Sequence, residues 1–393
     1  MKKKRIFAIA LALSFLLAIA AGCGGNTNSG GGNTGSNAGS NTGGGSSTPA
    51  PTPAPTPAPA PTPAPAPAPA PELPKIELSL TLHDPATAFM GTYLQAWADK
   101  VSEMTNGGLT IKIFGGGSLA PATEALNFVM DGTADIGWLF ALYYPGQFPL
   151  TQVISLPMNG PTHPAQAAEV IWDLYDSTPA LRDEIDSKIH VLTMYSNPGN
   201  FIATTKQPIN TIEDLKGMKL RSPAGTISDV LQLWGASPEN VPPTDCYDAL
   251  SKGNIFGTSW EWQGINAFKL WELLNYFSNG LVTYCGIFFL GMNNDSWNNL
   301  PQEYKDVLNE TTGRAGSIAT GDAFYAENDR CMQIALKENP NAKLITPTPE
   351  AIAEFKKIAD EYAVIWVQKN TTSTFDAQAY LDSSLAAIKK YAR

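Results

Sequence analysis

KIELSLTLHDPATAFMGTYLQAWADKVSEMTNGGLTIKIF, residues 75–114, decides the fold class. Ile76, Leu78, Leu80 and Leu82 alternate with polar positions, the period-two pattern of a strand. His83-Asp84-Pro85 ends the alternation. Met90, Leu94, Trp97, Val101 and Met104 then recur at spacings of four and three, which lays one apolar stripe along a helix. Asn106-Gly107-Gly108 stops that helix, and LTIKIF (109–114) is a second strand. A helix from about Pro121 to Met130 closes at Asp131-Gly132, and ADIGWLF (134–140) is a third strand. Strand, helix, strand, helix, strand predicts parallel pairing through right-handed crossovers.

The pattern restarts further along. Thr211 and Asp214 fit a capping box, and Gly217 closes the short helix they begin. MKLRS (218–222) is a brief strand, and Ile227, Val230, Leu231 and Trp234 stripe the next helix. Val241 marks a strand before Pro242-Pro243, Thr244 caps another helix that Gly253 ends, and NIFGTSW (254–260) returns as a strand. NFVMDGTADIGW (127–138) and DALSKGNIFGTSW (248–260) echo each other: helix, Gly stop, buried strand, aromatic. Beyond Met292 the chain turns mainly helical, with Thr348 as N-cap and Pro349 in the first turn of a long helix. The stretch from Ile76 to Arg393 is about 320 residues, more than one core usually serves, so two lobes with a cleft between them are expected. Ligands of such sheets bind at the carboxyl ends of strands, where Arg221 and Trp260 fall.

The first 74 residues read differently. A basic start and an apolar run from Ile6 to Ala21 describe a secretory signal over 1–22, and the run is shorter than the ~20 residues a spanning helix needs. Ala20-Ala21-Gly22-Cys23 resembles a bacterial lipobox, with Ala20 where Leu, Val or Ile is usual, and predicts lipidation at Cys23. Residues 23–74 form a linker, first Gly/Asn/Ser-rich and flexible, then Pro/Ala/Thr-rich and extended at ~3.1 Å per residue. The predicted location is the outer face of the cytoplasmic membrane, at the cell surface or in the periplasm, held there by the lipid. A net charge of −10 argues against nucleic acid and against adhesion to anionic lipid. Cys246, Cys285 and Cys331 are scattered singles and read as small buried hydrophobes.

INTIEDLKGMKLRSPAG (209–225), ALSKGNIFGTSWEW (249–262) and DSWNNLPQEYKDVL (295–308) together resemble the DctP-type solute receptors of TRAP (tripartite ATP-independent) transporters. VSEMTNGGLTIKIFGGGSL (101–119) and FVMDGTADIGW (128–138) are similar to the same family. The resemblance implies an α/β, two-lobed periplasmic-binding-protein-like fold. Each lobe would hold a mixed or parallel sheet flanked by helices, with a helical C-terminal part. Lobe I would comprise 75–198 with about 286–328, and lobe II 199–285 with about 329–393. It further implies a receptor, not an enzyme, that closes over a small organic solute and hands it to membrane permease subunits. Arg221 stands where the family's arginine pairs with the solute carboxylate, and a guanidinium fork suits a planar carboxylate. Two departures mark dicarboxylates and large acidic sugars down. No basic residue occurs in NPGNFIATT (197–205), and Phe256 with TSWEW replaces the common VDGQEN version.

Trp260-Glu261-Trp262 leaves three readings open. Arg221 clamps a monocarboxylate of the 2-oxo or 2-hydroxy type while a Trp packs on its apolar body. Glu261, facing a second carboxylate, then calls for a cation (calcium or sodium), a proton or a ligand hydroxyl. In the second reading, Glu261 and the aromatics, with Tyr143 or Tyr144, hold an amine or quaternary ammonium. In the third, both indoles are core and Glu261 caps the following helix. An extended 257–262 would put Trp260 and Trp262 on one face and Glu261 on the other, so the three converge only if the strand ends near Trp260. His83 could donate to the solute or cap a helix. Asn197 and Asn200 stand where the chain crosses between lobes, and either could hydrogen-bond a ligand or serve the turn beside Pro198-Gly199. Trp138 ends the third strand and reads as core or site. No nucleophile elbow, His-Glu-x-x-His helix or Cys–His pairing supports an enzyme. A ligand sensor remains the other use of such a fold.

Overall fold

The alternation that opens the folded region becomes its first strand, and the pattern continues through the computed structural model, which describes residues 73–393. The signal segment, Cys23 and nearly all of the 23–74 linker lie outside the described residues. In chain order the strands are β1 (Ile76–Thr81), β2 (Leu109–Phe114), β3 (Ile136–Phe140), β4 (His190–Ser196), β5 (Phe201–Thr204), β6 (Lys219–Arg221), β7 (Ser237–Glu239), β8 (Gly257–Trp260), β9 (Tyr276–Ser278), β10 (Ile287–Met292) and β11 (Lys343–Ile345). They form two sheets, ordered β2-β1-β3-β10-β4 and β11-β9-β5-β8-β6-β7, one per lobe. Helix Phe89–Met104 carries the predicted stripe, burying Met90, Leu94 and Val101.

The predicted parallel pairings occur in both lobes: β1 with β2 and β3, and β6 with β7 and β8. The echo is structural as well. Helices Ala125–Met130 and Cys246–Ser251 each stop at a left-handed glycine, Gly132 (φ 77) and Gly253 (φ 70), then feed β3 and β8. Positive φ carries no steric cost at glycine. Periodicity did not foresee β10. It lies antiparallel between β3 and β4, because the chain enters it directly from the other lobe without a helical crossover.

Three expectations need correction. Thr244 is no N-cap: it lies inside the turn Pro243–Asp245, and helix Cys246–Ser251 follows Asp245 without a side-chain cap bond. Val241 is not in a strand: β7 lies at Ser237–Glu239, and the Val241 amide turns back to the Glu239 carbonyl. The stretch 329–393 is not all lobe II. Helix Pro349–Asn370 packs on helix Thr226–Leu233 of that lobe, whereas helix Ala377–Lys390 packs on helix Pro164–Ser177 of lobe I. Gln166 donates to the Ile388 carbonyl at 2.7 Å, and Lys390 pairs with Asp173 at 2.9 Å. Those two bonds fasten the C-terminal helix to the first lobe.

The connections between lobes position the site. Residues 197–200 link β4 to β5 and 279–286 link β9 to β10, and the two segments pair with each other. Asn200 N–H donates to the Tyr284 carbonyl, and Thr283 N–H to the Asn200 carbonyl, both at 2.7 Å. Helix Gly313–Glu338 spans both lobes, touching helix Pro164–Ser177, β4 and helix Trp262–Ala267. Cys246, Cys285 and Cys331 are buried free thiols. Among the described residues no helix is long and apolar enough to cross a membrane.

Candidate functional site

Parallel neighbours β6 and β8 finish at the same sheet edge, with Arg221 beside Thr258. Arg221 ends β6 and is 1% exposed. Its guanidinium sits over the Trp260 indole, 4.0 Å from the ring centroid. Nε donates to the Val241 carbonyl at 3.1 Å, and Nη2 to the Tyr143 hydroxyl at 3.0 Å. No Asp or Glu pairs with it among the described residues. A buried guanidinium with donors left over is costly unless an anion completes it. Tyr143 belongs to the turn Ala141–Tyr143 after β3, so the Arg221–Tyr143 bond crosses between lobes.

The chain stops being extended at Glu261. β8 ends at Trp260, and Glu261 is the N-cap of helix Trp262–Ala267, accepting from Gly264 N–H at 3.3 Å. Asn197 also donates to its carboxylate at 2.9 Å, and Asn197 Oδ1 takes the Gly286 N–H at 2.7 Å. Glu261 is thereby tied to both inter-lobe connections. Capping and facing the cavity are here one role, because the turn at 261 aims Trp260 and Glu261 inward together. The same turn corrects one expectation: Trp262 points into the lobe II core, against Phe277 (4.5 Å between centroids) and Phe201 (4.8 Å). Tyr144 also misses the cavity, its hydroxyl donating to the Ala122 carbonyl in the lobe I core.

His83, Tyr143, Asn200, Arg221, Trp260 and Glu261 all line one cavity between the lobes. Sequence reasoning passed over Asp84, Phe140, Gln263, Tyr284 and Phe288, which line it too. Asp84 accepts from Gln263 Nε2 at 3.1 Å, a second bond across the lobes. Asp84 follows β1 just as His83 does, so the strand-end rule would have found it. Tyr284 and Phe288 arrive with the re-entrant chain and carry no local signal. Trp138 is both core and lining. It stacks between His83 (4.5 Å) and Phe288 (4.3 Å) and donates to the Tyr195 hydroxyl at 2.7 Å.

Burial sets the charges. It pushes the Glu261 carboxyl up to about 7 against the pull of the Asn197 amide, with Asp84 adding to the rise. It pushes Asp84 up to about 6, opposed by the Gln263 bond. Burial, with the charge of Arg221 adding, drops His83 to about 3, so His83 is neutral. Burial raises Tyr143 to about 12, so its hydroxyl keeps a proton to donate. Among the described residues no three of His, Cys, Asp or Glu are grouped to hold a metal ion. A cation at Glu261 would therefore lean on neutral oxygens and on the solute.

The space is closed. Room for the centre of a water-sized sphere is ≈ 10 Å³, about what one water needs.

Gly264 faces Trp260 closely: a Cβ there would lie 2.2 Å from the indole Nε1. Gly264→Ala is expected to push the indole from beneath Arg221. The resulting overpacking should cost roughly 1–3 kcal/mol of stability, and solute affinity should fall with it. Thermal melts and titration of the variant check this; unchanged values for both would show that the indole has room to move.

The family model described as bacterial extracellular solute-binding protein, family 7 (DctP) matches residues 82–369. A monocarboxylate 2-oxoacid-binding periplasmic protein of Nostoc sp. is 28% identical over 254 residues, 62% of this chain and 67% of that protein. A TRAP solute-binding protein of Rhodoferax ferrireducens with copurified benzoate is similar at TM-score 0.75 and 26% identity, covering 81% of this chain and 98% of that one. A marine-metagenome TRAP solute-binding protein, crystallised with 3-hydroxybenzoate, gives TM-score 0.76 at 24% identity, over 81% of this chain and all of that one. These relatives are binding proteins, not enzymes. With most of its length matched by the family model, this chain belongs to bacterial extracellular solute-binding protein family 7, the DctP family, and is an extracytoplasmic receptor for a small organic solute.

Proposed function

We propose that the receptor captures a small organic monocarboxylate through Arg221 and closes its two lobes over it. The observation that carries this reading is the buried guanidinium, with no carboxylate partner of its own and Nη donors left over. Among the described residues it is the only Lys or Arg side chain lining the cavity, which suits one carboxylate better than two. Trp138, Phe140, Trp260 and Phe288 supply flat apolar walls, so a compact or aromatic body fits beside the 2-oxo and 2-hydroxy acids. The acids bound by the solved relatives support that widening. An amine alone would bring a second cation beside Arg221, which counts against the ammonium reading.

Closure is favoured only by contacts the solute makes in the closed form and lacks in the open one. Arg221 on one lobe and Tyr143 on the other are placed to make them together. Delivery to TRAP permease subunits, and tethering through a lipid on Cys23 that raises the local concentration at the permease, complete the reading.

A thermal-shift screen of the full chain tests it. Small 2-oxo acids, 2-hydroxy acids, benzoate and mandelate are compared with choline and ethanolamine. A bound acid at a hundredfold excess over its Kd adds about 2.7 kcal/mol, which raises Tm by several degrees. Amines should give no shift. A response to amines alone would make Glu261 the anchor and remove this reading.

A further inference from the structure

Arg221 and the Tyr143 hydroxyl furnish donors on one side of the cavity, and other lining groups furnish acceptors. Asn200 is fully buried and lines the cavity. Its amide nitrogen donates to the Tyr284 carbonyl at 3.1 Å, while its Oδ1 has no partner. Flipping the amide offers no remedy, because Oδ1 would then face the Tyr284 carbonyl oxygen. Nor can the residue move aside: its N–H and its carbonyl are both held to the other connection at 2.7 Å. Buried polar atoms are nearly always hydrogen-bonded, and an orphan calls for an explanation. Asp84 and Glu261 add capacity. Asp84 accepts one hydrogen bond and Glu261 two, where a carboxylate can take about four.

An oxo acid brings only acceptors. Its carbonyl could accept a hydrogen bond from the protonated Glu261 carboxyl, but nothing in it satisfies Asn200. A hydroxyl or ammonium supplies the missing donor. Sites built around a ligand O–H or N–H reject analogues lacking it, because the site's own polar atom is left unpaired.

Resting on the carboxylate reading of Arg221, we infer that the solute carries an O–H or N–H donor besides its carboxylate, as a hydroxy or amino acid does and an oxo acid does not. Asn200 Oδ1 is the group that reads this donor.

Calorimetric titration of the full chain with matched trios tests the inference: pyruvate, lactate and alanine, then phenylpyruvate, phenyllactate and phenylalanine, both enantiomers where they exist. The hydroxy or amino member of at least one trio should bind roughly ten- to a hundredfold tighter than its oxo partner. Asn200→Leu should collapse that ratio to within about threefold. The sign of the pH dependence separates the two donors. An amino acid binds better as Asp84 and Glu261 ionise, a hydroxy acid worse.

An oxo acid binding as tightly as its partners, or a ratio that survives Asn200→Leu, overturns the inference and leaves the carboxylate reading standing. Oxo-acid binding that needs added calcium or sodium also overturns it, since a metal ion then occupies the acceptors. Loss of every acid while amines bind removes both. Should Asn200→Leu fail to melt cooperatively, the wild-type ratios still decide.

Discussion

Arg221→Met is expected to weaken carboxylate binding by roughly 10²–10⁴-fold, from two charge-assisted hydrogen bonds at about 1.5–3 kcal/mol each. The same variant should not unfold the free protein. Arg221 is buried with its charge unpaired, and an apolar side chain of similar length removes that cost while giving up the bonds to Tyr143 and Val241. Replacing buried charge by packed apolar atoms is often neutral or stabilising, so Tm without solute should match or exceed the wild type. Arg221→Lys keeps the charge but loses the fork and the flat stack on Trp260. It should fall between the two. Titration and melts of both variants decide, and an Arg221→Met that binds acids normally would return Arg221 to a structural role.

Glu261→Gln is expected to stabilise the free protein at pH 8 by roughly 2–4 kcal/mol and to change little at pH 4.5. The carboxyl stands at about 7 in the fold against its usual 4.5. A raised carboxyl adds stability that is fully present below about pH 4.5 and is lost as pH rises through 7. Above that point the wild type carries a buried ionised carboxylate. Glutamine keeps one oxygen for Asn197 or Gly264 and carries no charge. Asp84 and His83 titrate in both proteins and largely cancel from the difference. Denaturant melts at the two pH values measure it; a difference that does not change with pH would mean Glu261 is not ionised at the cost argued here.

Local pattern carried the parts of this structure that depend on near neighbours. Alternation and the spacing of apolar residues gave β1, β2, β3 and the helices between them, and strand ends picked out Arg221 and Trp260. Errors came where a local rule gives no direction. Convergence of Trp260, Glu261 and Trp262 requires the strand to end near Trp260; it ends there, yet the helix that starts at Trp262 carries that indole into the lobe II core. Tyr144 was paired with Tyr143, and nothing local separates two adjacent tyrosines in a turn. Long-range contacts stayed hidden: Gln263 reaches Asp84 from 179 residues away, and β10 takes its place only when the chain returns from the other lobe.

The central question is whether the site requires a carboxylate. The direct measurement is a calorimetric titration of the acid giving the largest thermal shift, beside its primary amide, against wild type and Arg221→Met. The amide keeps the shape and removes the charge. Wild type should prefer the acid by about a hundredfold or more, and Arg221→Met should lose that preference. Equal binding of acid and amide, or a preference that survives in Arg221→Met, would contradict the account.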